Sequence, residues 1–345
     1  MCDSLNEDGI PLLRASNIQD GKLNFEDIIY IDKKKVKSNQ YLKSDDILVC
    51  TSSGSKELVG KAAFVENDLS MTFGAFCKVI RSKICCPKYI GYFFDSPYYR
   101  KRISASSAGA NINNIRNEHI DEIDIRLPST DEQKQISAVL DKVSDLISLR
   151  KQQLAKLDEL VKARFVELFG DYRINEKGFD CKKGSELFKF SSGKFLPEEK
   201  RLDEGTPVYG GNGIAWYTNK YLIDYPTIII GRVGAQCGNI HAVTTPVWIT
   251  DNAIYIKEQK TKAYTLEFLT ELMRMMDFYQ YADFSGQPKI TQKPLETLDY
   301  IMPPIELQTQ FATFVEQTDK SKLAIQQSLD KMELLKKALM QKCFG

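Results

Sequence analysis

Two stretches of the chain place apolar residues in alternating steps of four and three over more than four heptads. Because neither stretch contains Gly or Pro, each predicts one continuous helix, and an apolar seam of this length needs a partner to bury it. We expect the two helices to pack antiparallel on each other as a coiled coil. The predicted seam consists of Ile136, Leu140, Val143, Ile147, Leu154, Leu157 and Val161 in the first helix, and of Phe311, Val315, Ile325, Leu329, Met332 and Leu339 in the second.

The two helical stretches belong to a longer internal repeat. Residues 128–170 align without a gap with residues 303–345, at an offset of 175. Matching pairs include Pro128 with Pro303, Gln133 with Gln308, and Phe169-Gly170 with Phe344-Gly345. Ser129 or Thr130 can cap the first helix, with Glu132 or Gln133 reaching back to the cap. The repeat predicts that the two halves of the chain share one architecture.

The stretches before the two helices are rich in β-forming residues between Gly, Asn and Asp turns. Predicted strands include Ile28–Ile31, Ile47–Thr51, Thr227–Ile230 and Ala253–Ile256, and predicted helices cover Tyr89–Ile103 and Leu266–Tyr281. The expected fold class is therefore α+β, with two mostly-β domains separated by the two long antiparallel helices in a pseudo-twofold repeat. The predicted ranges are 1–128 for the first domain, 129–170 for the first helix, 171–303 for the second domain and 304–345 for the second helix.

Composition and charge favour an ordinary globular protein. Hydrophobic residues make up 43% of the chain and the formal net charge is +1, which argues against a protein that holds nucleic acid by charge alone. Eight cysteines without a C-x-x-C pair and two distant histidines give no zinc pattern, and no phosphate-binding loop occurs. No apolar run is long enough to span a bilayer. We therefore expect a non-catalytic cytoplasmic protein with reduced thiols, no bound metal and no cofactor of its own.

Short motifs recur in a similar order in the two halves. The first half contains Gly9-Ile10-Pro11, Asn17-Ile18 with Gly21, Asp46-Ile47-Leu48-Val49, Val59-Gly60-Lys61-Ala62, and Leu127-Pro128 before Glu132-Gln133. The second half contains Tyr209-Gly210-Gly211-Asn212-Gly213-Ile214, Ile229-Ile230-Gly231-Arg232 with Gly234, Ser285-Gly286-Gln287-Pro288-Lys289-Ile290, and Pro303-Pro304-Ile305 before Gln308. In this order, and followed each time by a long helix, the motifs resemble the specificity (S) subunits of type I restriction-modification systems over almost the whole chain.

The resemblance implies that each globular part is a target recognition domain that reads one half of a bipartite site in double-stranded DNA. The long helices would set the spacing between the half-sites and dock two methyltransferase subunits. Catalysis would then belong to partners. The methyltransferase subunits would bind S-adenosylmethionine and methylate adenine, and ATP-dependent restriction subunits would cleave with ATP and Mg²⁺. No membrane partner is expected.

Polar residues of these motifs near predicted loops are the candidates for DNA contacts, because Arg pairs with guanine and Asn or Gln with adenine through bidentate hydrogen bonds. The candidates are Arg14, Asn17, Ser53, Lys56, Asn212, Arg232, Gln236, Gln287 and Lys289. A turn or an internal hydrogen bond explains each of them equally well. Arg232 is the first choice, because it follows an apolar strand and lies between two glycines.

The two halves differ at their starts, and two other functions stay open. Residues 171–204 precede Gly205 in the second half, whereas eight residues precede Gly9 in the first, so the sequence predicts a shortened first target recognition domain. One alternative is a coiled-coil scaffold that joins two protein-binding domains, which predicts no sequence-selective DNA binding. The other is a DNA-modifying enzyme in its own right, which predicts that the isolated chain binds S-adenosylmethionine or a metal.

Overall fold

The computed structural model describes residues 9–19, 21–55, 58–83, 85–106 and 113–345. The chain divides into two compact units, the first formed by Met1–Gln152 with Gln326–Gly345 and the second by Gln153–Ile325. Helices and sheets occur in both units, so the predicted mixed class is confirmed. The four domain ranges given above stay a prediction. In the described part of the chain, every helix is too short or too polar to cross a membrane.

The first unit is built mainly from short strands. Its strands are β1 Ile10–Leu13, β2 Ile18–Gln19, β3 Lys22–Leu23, β4 Ile29–Ile31, β5 Asp46–Cys50, β6 Ser52–Ser53, β7 Ala62–Phe64, β8 Thr72–Phe73, β9 Cys77–Arg81 and β10 Asn113–Asn114. Its helices before the long helix are α1 Pro87–Asp95, α2 Pro97–Ser106 and α3 Asn117–Asp121.

The buried centre of the first unit is the antiparallel sheet β7-β5-β9. Every residue of β5 is buried, because the sheet is covered on both faces. Ile47 and Val49 pack with the aromatic residues of α1 and α2, whereas Leu48 and Cys50 point to the opposite face and pack with Leu13 of β1.

The predicted helix over Tyr89–Ile103 is wrong in one respect, because two helices cover this range. α1 ends at Asp95 and α2 begins at Pro97, with Ser96 in an extended conformation between them. A proline disfavours the helical conformation in the residue before it, which is the physical reason for the break.

In the second unit the strands are β11 Asp180–Lys183, β12 Phe188–Ser192, β13 Thr206–Gly210, β14 Gly213–Thr218, β15 Thr227–Gly231, β16 Ile240–Val243, β17 Trp248–Ile249, β18 Ala253–Gln259 and β19 Asp299–Met302. Its short helices are α5 Gly184–Leu187, α6 Leu266–Met275 and α7 Gln292–Thr297. The central sheet has the order β12-β18-β15-β16, and β15 is buried along its whole length.

The predicted helix over Leu266–Tyr281 is also too long. α6 ends at Met275, and Asp277 adopts a left-handed conformation with φ of 45° before a 3₁₀ turn over Phe278–Tyr281. A residue at positive φ cannot continue a right-handed helix, so the chain turns at this position.

The two long helices are α4 Thr130–Phe169 and α8 Ile305–Phe344, each of 40 residues. The predicted cap of α4 is confirmed: the Glu132 carboxylate accepts hydrogen bonds from the Ser129 N–H at 3.0 Å and hydroxyl at 2.8 Å, and the Glu132 N–H donates to the Ser129 Oγ. These contacts hold the pKa of Glu132 below its ordinary value.

The helices run antiparallel in each unit. In the first unit Leu140 packs in one cluster with Met340 and Phe344, while Lys151 pairs with Glu333 at 3.3 Å further along. In the second unit the Asp158 carboxylate is 2.6 Å from the Lys322 ammonium, and the rings of Phe165 and Phe311 lie 5.5 Å apart. Every residue of the predicted seam is buried or half-buried.

A buried glutamine joins each long helix to the globular part in front of it. The Gln308 amide oxygen accepts the N–H of Thr265, the N-cap of α6, at 2.9 Å, and its nitrogen donates to Ala263 O at 2.9 Å and Pro303 O at 2.8 Å. Gln133 makes the same kind of contact in the first unit. Its amide oxygen accepts the N–H of Cys86, the N-cap of α1, and its nitrogen donates to Pro128 O.

Replacing Gln308 with alanine is expected to lower the free energy of unfolding of the second unit by about 1–3 kcal/mol, because buried backbone groups lose their partners. Both tryptophans, Trp216 and Trp248, belong to the second unit, so urea titration followed by tryptophan fluorescence reports on it. Gln310→Ala, at an exposed position one half-turn further along α8, is the control. Equal midpoints for the two variants would contradict this role of Gln308.

Candidate nucleic-acid interface

In the second unit, a tight loop follows the buried strand β15. The Gly231 N–H donates to Asn239 O and the Gly238 N–H donates to Gly231 O, both at 2.8 Å, which closes the base of the loop. Gly234 and Gly238 adopt φ of 85° and 89°, conformations that favour glycine. Cys237 points inward and is buried, so Gln236 is left on the exposed side of the loop.

A second loop lies beside the first. Asp283 and Lys289 exchange backbone hydrogen bonds at 2.9 and 3.1 Å, and the segment between them, including Gln287, projects from this closure. Hydrogen bonds from Ser285 and then the charge of Lys289 hold the pKa of the Asp283 carboxyl below its ordinary value. Phe284 in this loop is 54% exposed and packs edge-on against Tyr279 with ring centroids 5.2 Å apart.

Backbone hydrogen bonds join the two loops. The Ile290 N–H donates to Arg232 O and the Gly234 N–H donates to Pro288 O, both at 2.9 Å, while Val233 bridges to Lys289. The structure therefore brings four of the predicted residues together: Arg232, Gln236, Gln287 and Lys289. We call residues 232–239 and 283–290 the two-loop surface.

Arg232 is held at its backbone and little engaged at its side chain. Its N–H donates to Asn252 O at 2.9 Å, and its guanidinium makes one long contact, from Nη1 to Asp251 O at 3.4 Å. Because a guanidinium carries five N–H donors, most of its hydrogen-bonding capacity is directed to no described residue. A fixed backbone with an uncommitted side chain suits recognition of an external partner.

The hairpin between β13 and β14 lies against the base of the two-loop surface. Asn212 is exposed at its turn. A β-carbon at Gly231 would lie 2.3 Å from the Gln236 carbonyl oxygen and 2.7 Å from the Gly211 carbonyl oxygen, so only glycine allows this close approach. The hairpin and the first loop are thus packed backbone to backbone.

The described residues of the first unit repeat one of these backbone contacts. β6 follows the buried strand β5 and pairs with β10, and the Ile115 N–H donates to Thr51 O at 2.7 Å, as Ile290 does to Arg232 in the second unit. Ile115 and Ile290 are both buried and are separated by the repeat offset. This geometry makes Thr51 the counterpart of Arg232 and Asn114 the counterpart of Lys289, which the sequence comparison had missed.

The remaining candidates of the first unit occupy different environments. Arg14 and Ser53 line one pocket of about 460 Å³ together with Phe76, whose side chain is 67% exposed. The Arg14 guanidinium donates to Asp27 O and to its carboxylate, both at 2.8 Å. Lys56 lies outside the described residues.

Asn17 does not lie on a surface. It is 1% exposed, its amide oxygen accepts the Arg14 N–H at 2.8 Å, and its nitrogen donates to Asn24 O and Glu26 O. These bonds give Asn17 a structural role in its own loop, and we leave it out of the proposed interface. In the described ranges, no group of three or more His, Cys, Asp or Glu side chains is placed to hold a metal ion.

The family model described as type I restriction modification DNA specificity domain matches residues 3–159 and 176–334, one copy in each half. The chain belongs to this family. Among specificity subunits, the chain is 41% identical over 159 residues to that of StySPI from Salmonella potsdam, covering 46% of this chain and 34% of that protein. It is 33% identical over 235 residues to that of EcoKI from Escherichia coli K12, covering 67% of this chain and 48% of that protein.

The same fold occurs in the crystal structure of the type I restriction-modification S subunit from M. genitalium. The two chains superpose with a TM-score of 0.64 at 18% identity, over 100% of this chain and 92% of that one. The matched segments of the StySPI and EcoKI specificity subunits amount to half of their length or less.

Proposed function

We propose that this specificity-family chain is the DNA-recognition subunit of a type I restriction-modification complex, in which each unit reads one half of a bipartite target in double-stranded DNA. The observation that carries the proposal is the backbone contact that follows the buried central strand in both units, from Ile290 to Arg232 in the second and from Ile115 to Thr51 in the first. Membership of the DNA specificity family supports the same assignment.

The two units combine a common backbone contact with different side chains. The hydrogen bond from Ile115 to Thr51 has its counterpart in the bond from Ile290 to Arg232, yet a threonine stands in one unit and an arginine in the other. Likewise, Asn114 and Lys289 occupy equivalent places. A shared scaffold with different polar side chains is what two unlike half-sites require, because base identity is read by side-chain hydrogen bonds.

In the second unit, Arg232 and Gln287 are the proposed base-contacting residues, and Lys289 is the proposed phosphate contact. Asn212 and Gln236 flank them, and Arg14, Ser53 and Lys56 have the corresponding role in the first unit. The chain as a whole carries a net charge of +1, so phosphate neutralisation by this chain alone is weak. Weak, salt-sensitive DNA binding by the isolated chain is the expected consequence.

Catalysis belongs to partners in this proposal. Two methyltransferase subunits dock on the long helices, bind S-adenosylmethionine and methylate adenine, and ATP-dependent restriction subunits cleave with ATP and Mg²⁺. The helices α4 and α8 set the spacing between the half-sites. Their continuity over 40 residues each supports a rigid spacer.

The test is a map of methylated adenines in cells that carry the operon with the wild-type gene, without it, or with Arg232→Ala. Deletion is expected to remove one bipartite motif, and Arg232→Ala to relax or abolish one half of it, because a bidentate arginine contributes about 1–3 kcal/mol of discrimination. The control is Lys257→Ala, which removes an exposed charge on β18. Lys257 lies five residues beyond Asn252, whose carbonyl oxygen accepts the Arg232 N–H. An unchanged motif after deletion would refute the proposal.

A further inference from the structure

A tight turn over residues 250–253 leads into β18, the strand that pairs with the buried strand β15. The N–H of its last residue donates to the carbonyl oxygen of its first at 3.1 Å. The first unit has the same turn over residues 74–77, with the corresponding hydrogen bond at 2.9 Å, and it leads into β9, which pairs with the buried strand β5. We call these two segments the strand-entry turns. Their third residues are Asn252 and Phe76.

The third residue of each strand-entry turn is joined to the position that follows the buried strand. In the second unit Asn252 O accepts the Arg232 N–H at 2.9 Å, and the Arg232 guanidinium reaches the neighbouring carbonyl oxygen, that of Asp251, at 3.4 Å. In the first unit Phe76 O accepts the N–H of Thr51, the counterpart of Arg232, at 2.8 Å. The strand-entry turns therefore lie beside the backbone contact on which the proposed function depends.

Asn252 presents an uncommitted amide group at this place. Its side chain is exposed and makes no hydrogen bond to a residue within the described part of the chain. The segment that leads into the second unit passes close to the turn, because the Gly193 N–H donates to Ala253 O at 3.0 Å, and it leaves Asn252 exposed. Since an asparagine amide carries two N–H donors and an acceptor oxygen, this hydrogen-bonding capacity is available to an external partner.

Phe76 presents an aromatic ring at the equivalent place of the first unit. Its side chain is 67% exposed and lines the same pocket of about 460 Å³ as Arg14 and Ser53, two of the proposed contact residues. Its backbone is held firmly, because Phe76 O accepts the Thr51 N–H, the Thr51 hydroxyl and the Ser52 N–H at 2.8, 3.2 and 3.2 Å. Phenylalanine is not among the residues that tight turns favour, so the turn itself does not explain it.

We propose that the third residue of each strand-entry turn contacts a base in the major groove, Asn252 an adenine in one half-site and Phe76 the methyl group of a thymine in the other. The Asn252 amide oxygen accepts from the adenine N6 amino group while its nitrogen donates to N7, and the Phe76 ring packs on the thymine C5-methyl. The inference rests on the proposed function and adds one base-contacting position to each unit. Because Asn252 is bonded to Arg232, the bases that these two residues contact belong to the same half-site.

The test for Asn252 is DNA binding by the complete complex at fixed salt, with each adenine of the target replaced in turn by 7-deazaadenine, which keeps its pairing and lacks the N7 acceptor. One replacement, in the half-site that Arg232→Ala alters, is expected to weaken wild-type binding about 2–13-fold, the contribution of one hydrogen bond. The same replacement is expected to leave binding by Asn252→Ala unchanged. On unmodified DNA, Asn252→Ala is expected to lose roughly 5–150-fold in affinity, the contribution of a bidentate contact.

The test for Phe76 replaces each thymine of the target in turn by deoxyuridine, which removes only the C5-methyl group. One replacement, in the other half-site, is expected to weaken wild-type binding roughly 4-fold, the effect of burying one methyl group. The same replacement is expected to leave binding by Phe76→Ala unchanged. The remaining thymines of the target are the control within the same DNA.

Two further variants distinguish a base contact from a role in the turn. Asn252→Gly keeps a residue that turns favour and removes the amide group, so it is expected to lose affinity as Asn252→Ala does. The matched control is Asn219→Ala, which is expected to bind as wild type does. Asn219 is an exposed asparagine that directly follows β14, at the end of the hairpin opposite to its turn.

Three results would overturn the inference and leave the proposed function standing, provided that the wild-type complex binds its target selectively. They are binding by Asn252→Gly equal to that of wild type, no weakening of wild-type binding by any single base analogue, or a base-analogue effect that persists in the corresponding alanine variant. A wild-type complex that binds its target no better than other DNA would overturn both.

Discussion

Phe165→Ala is expected to lower the free energy of unfolding of the second unit by about 3–5 kcal/mol, the range for truncation of a buried aromatic residue. Phe165 is 0% exposed and its ring stacks on that of Phe268, with the ring centroids 5.7 Å apart. The centroid of the Phe169 ring lies 4.9 Å from that of Phe165. The truncation leaves a cavity between the end of α4 and α6 that these rings cannot fill without moving.

Urea titration with tryptophan fluorescence measures this change, because Trp216 and Trp248 both lie in the second unit. Val166→Ala is the control: the neighbouring side chain is 43% exposed, and its truncation is expected to change stability by less than about 0.5 kcal/mol. A shift of the midpoint by the same amount in both variants would show that Phe165 does not anchor the unit.

Gly231→Ala is expected to disrupt the two-loop surface and, with it, recognition of one half-site. The added β-carbon would meet the Gln236 carbonyl oxygen at 2.3 Å and the Gly211 carbonyl oxygen at 2.7 Å, so the loop or the hairpin has to move. Overpacking of this kind costs about 1–3 kcal/mol, which corresponds to a loss of DNA affinity of roughly 5–150-fold if the displaced conformation does not bind.

The matched control is Gly210→Ala in β13, outside the two-loop surface, where the nearest atom to the added carbon is the Thr250 hydroxyl oxygen at 3.8 Å. Salt-controlled DNA-binding measurements on the complete complex compare the two variants, and circular dichroism checks that both are folded. If Gly210→Ala weakened binding as much as Gly231→Ala, crowding behind the loop would not be the cause.

Periodic features were readable from the sequence alone. The seams predicted both long helices, and Ser129 with Glu132 predicted the cap of α4, because these patterns depend on neighbours within a few residues. The apolar runs in β5 and β15 predicted the central strands for the same reason. Local patterns are enough where the structure is decided locally.

Features that depend on distant contacts were not readable. The role of Gln308 depends on Thr265, which is 43 residues away in the sequence and lies beside it in the fold. The presence of a glutamine, Gln133, at the equivalent position of the repeat was the one sequence signal for this role. Asn17 matched a motif because its hydrogen bonds shape a loop, which a sequence cannot distinguish from a contact with DNA. The counterparts Thr51 and Arg232 differ in side chain, so only the backbone ladder identifies them.

The ends of the long helices bear on the order in which the protein can fold during synthesis. Met340 and Phe344 complete the core of the first unit, and the Phe344 ring lies 5.0 Å from that of Tyr89, 255 positions earlier. A ribosome must therefore release residue 344 before this core can close, whereas Phe165, Phe169 and Phe311 close the second unit without the residues after 325. The half that is translated first is the half that is completed last, and it depends longest on protection from aggregation.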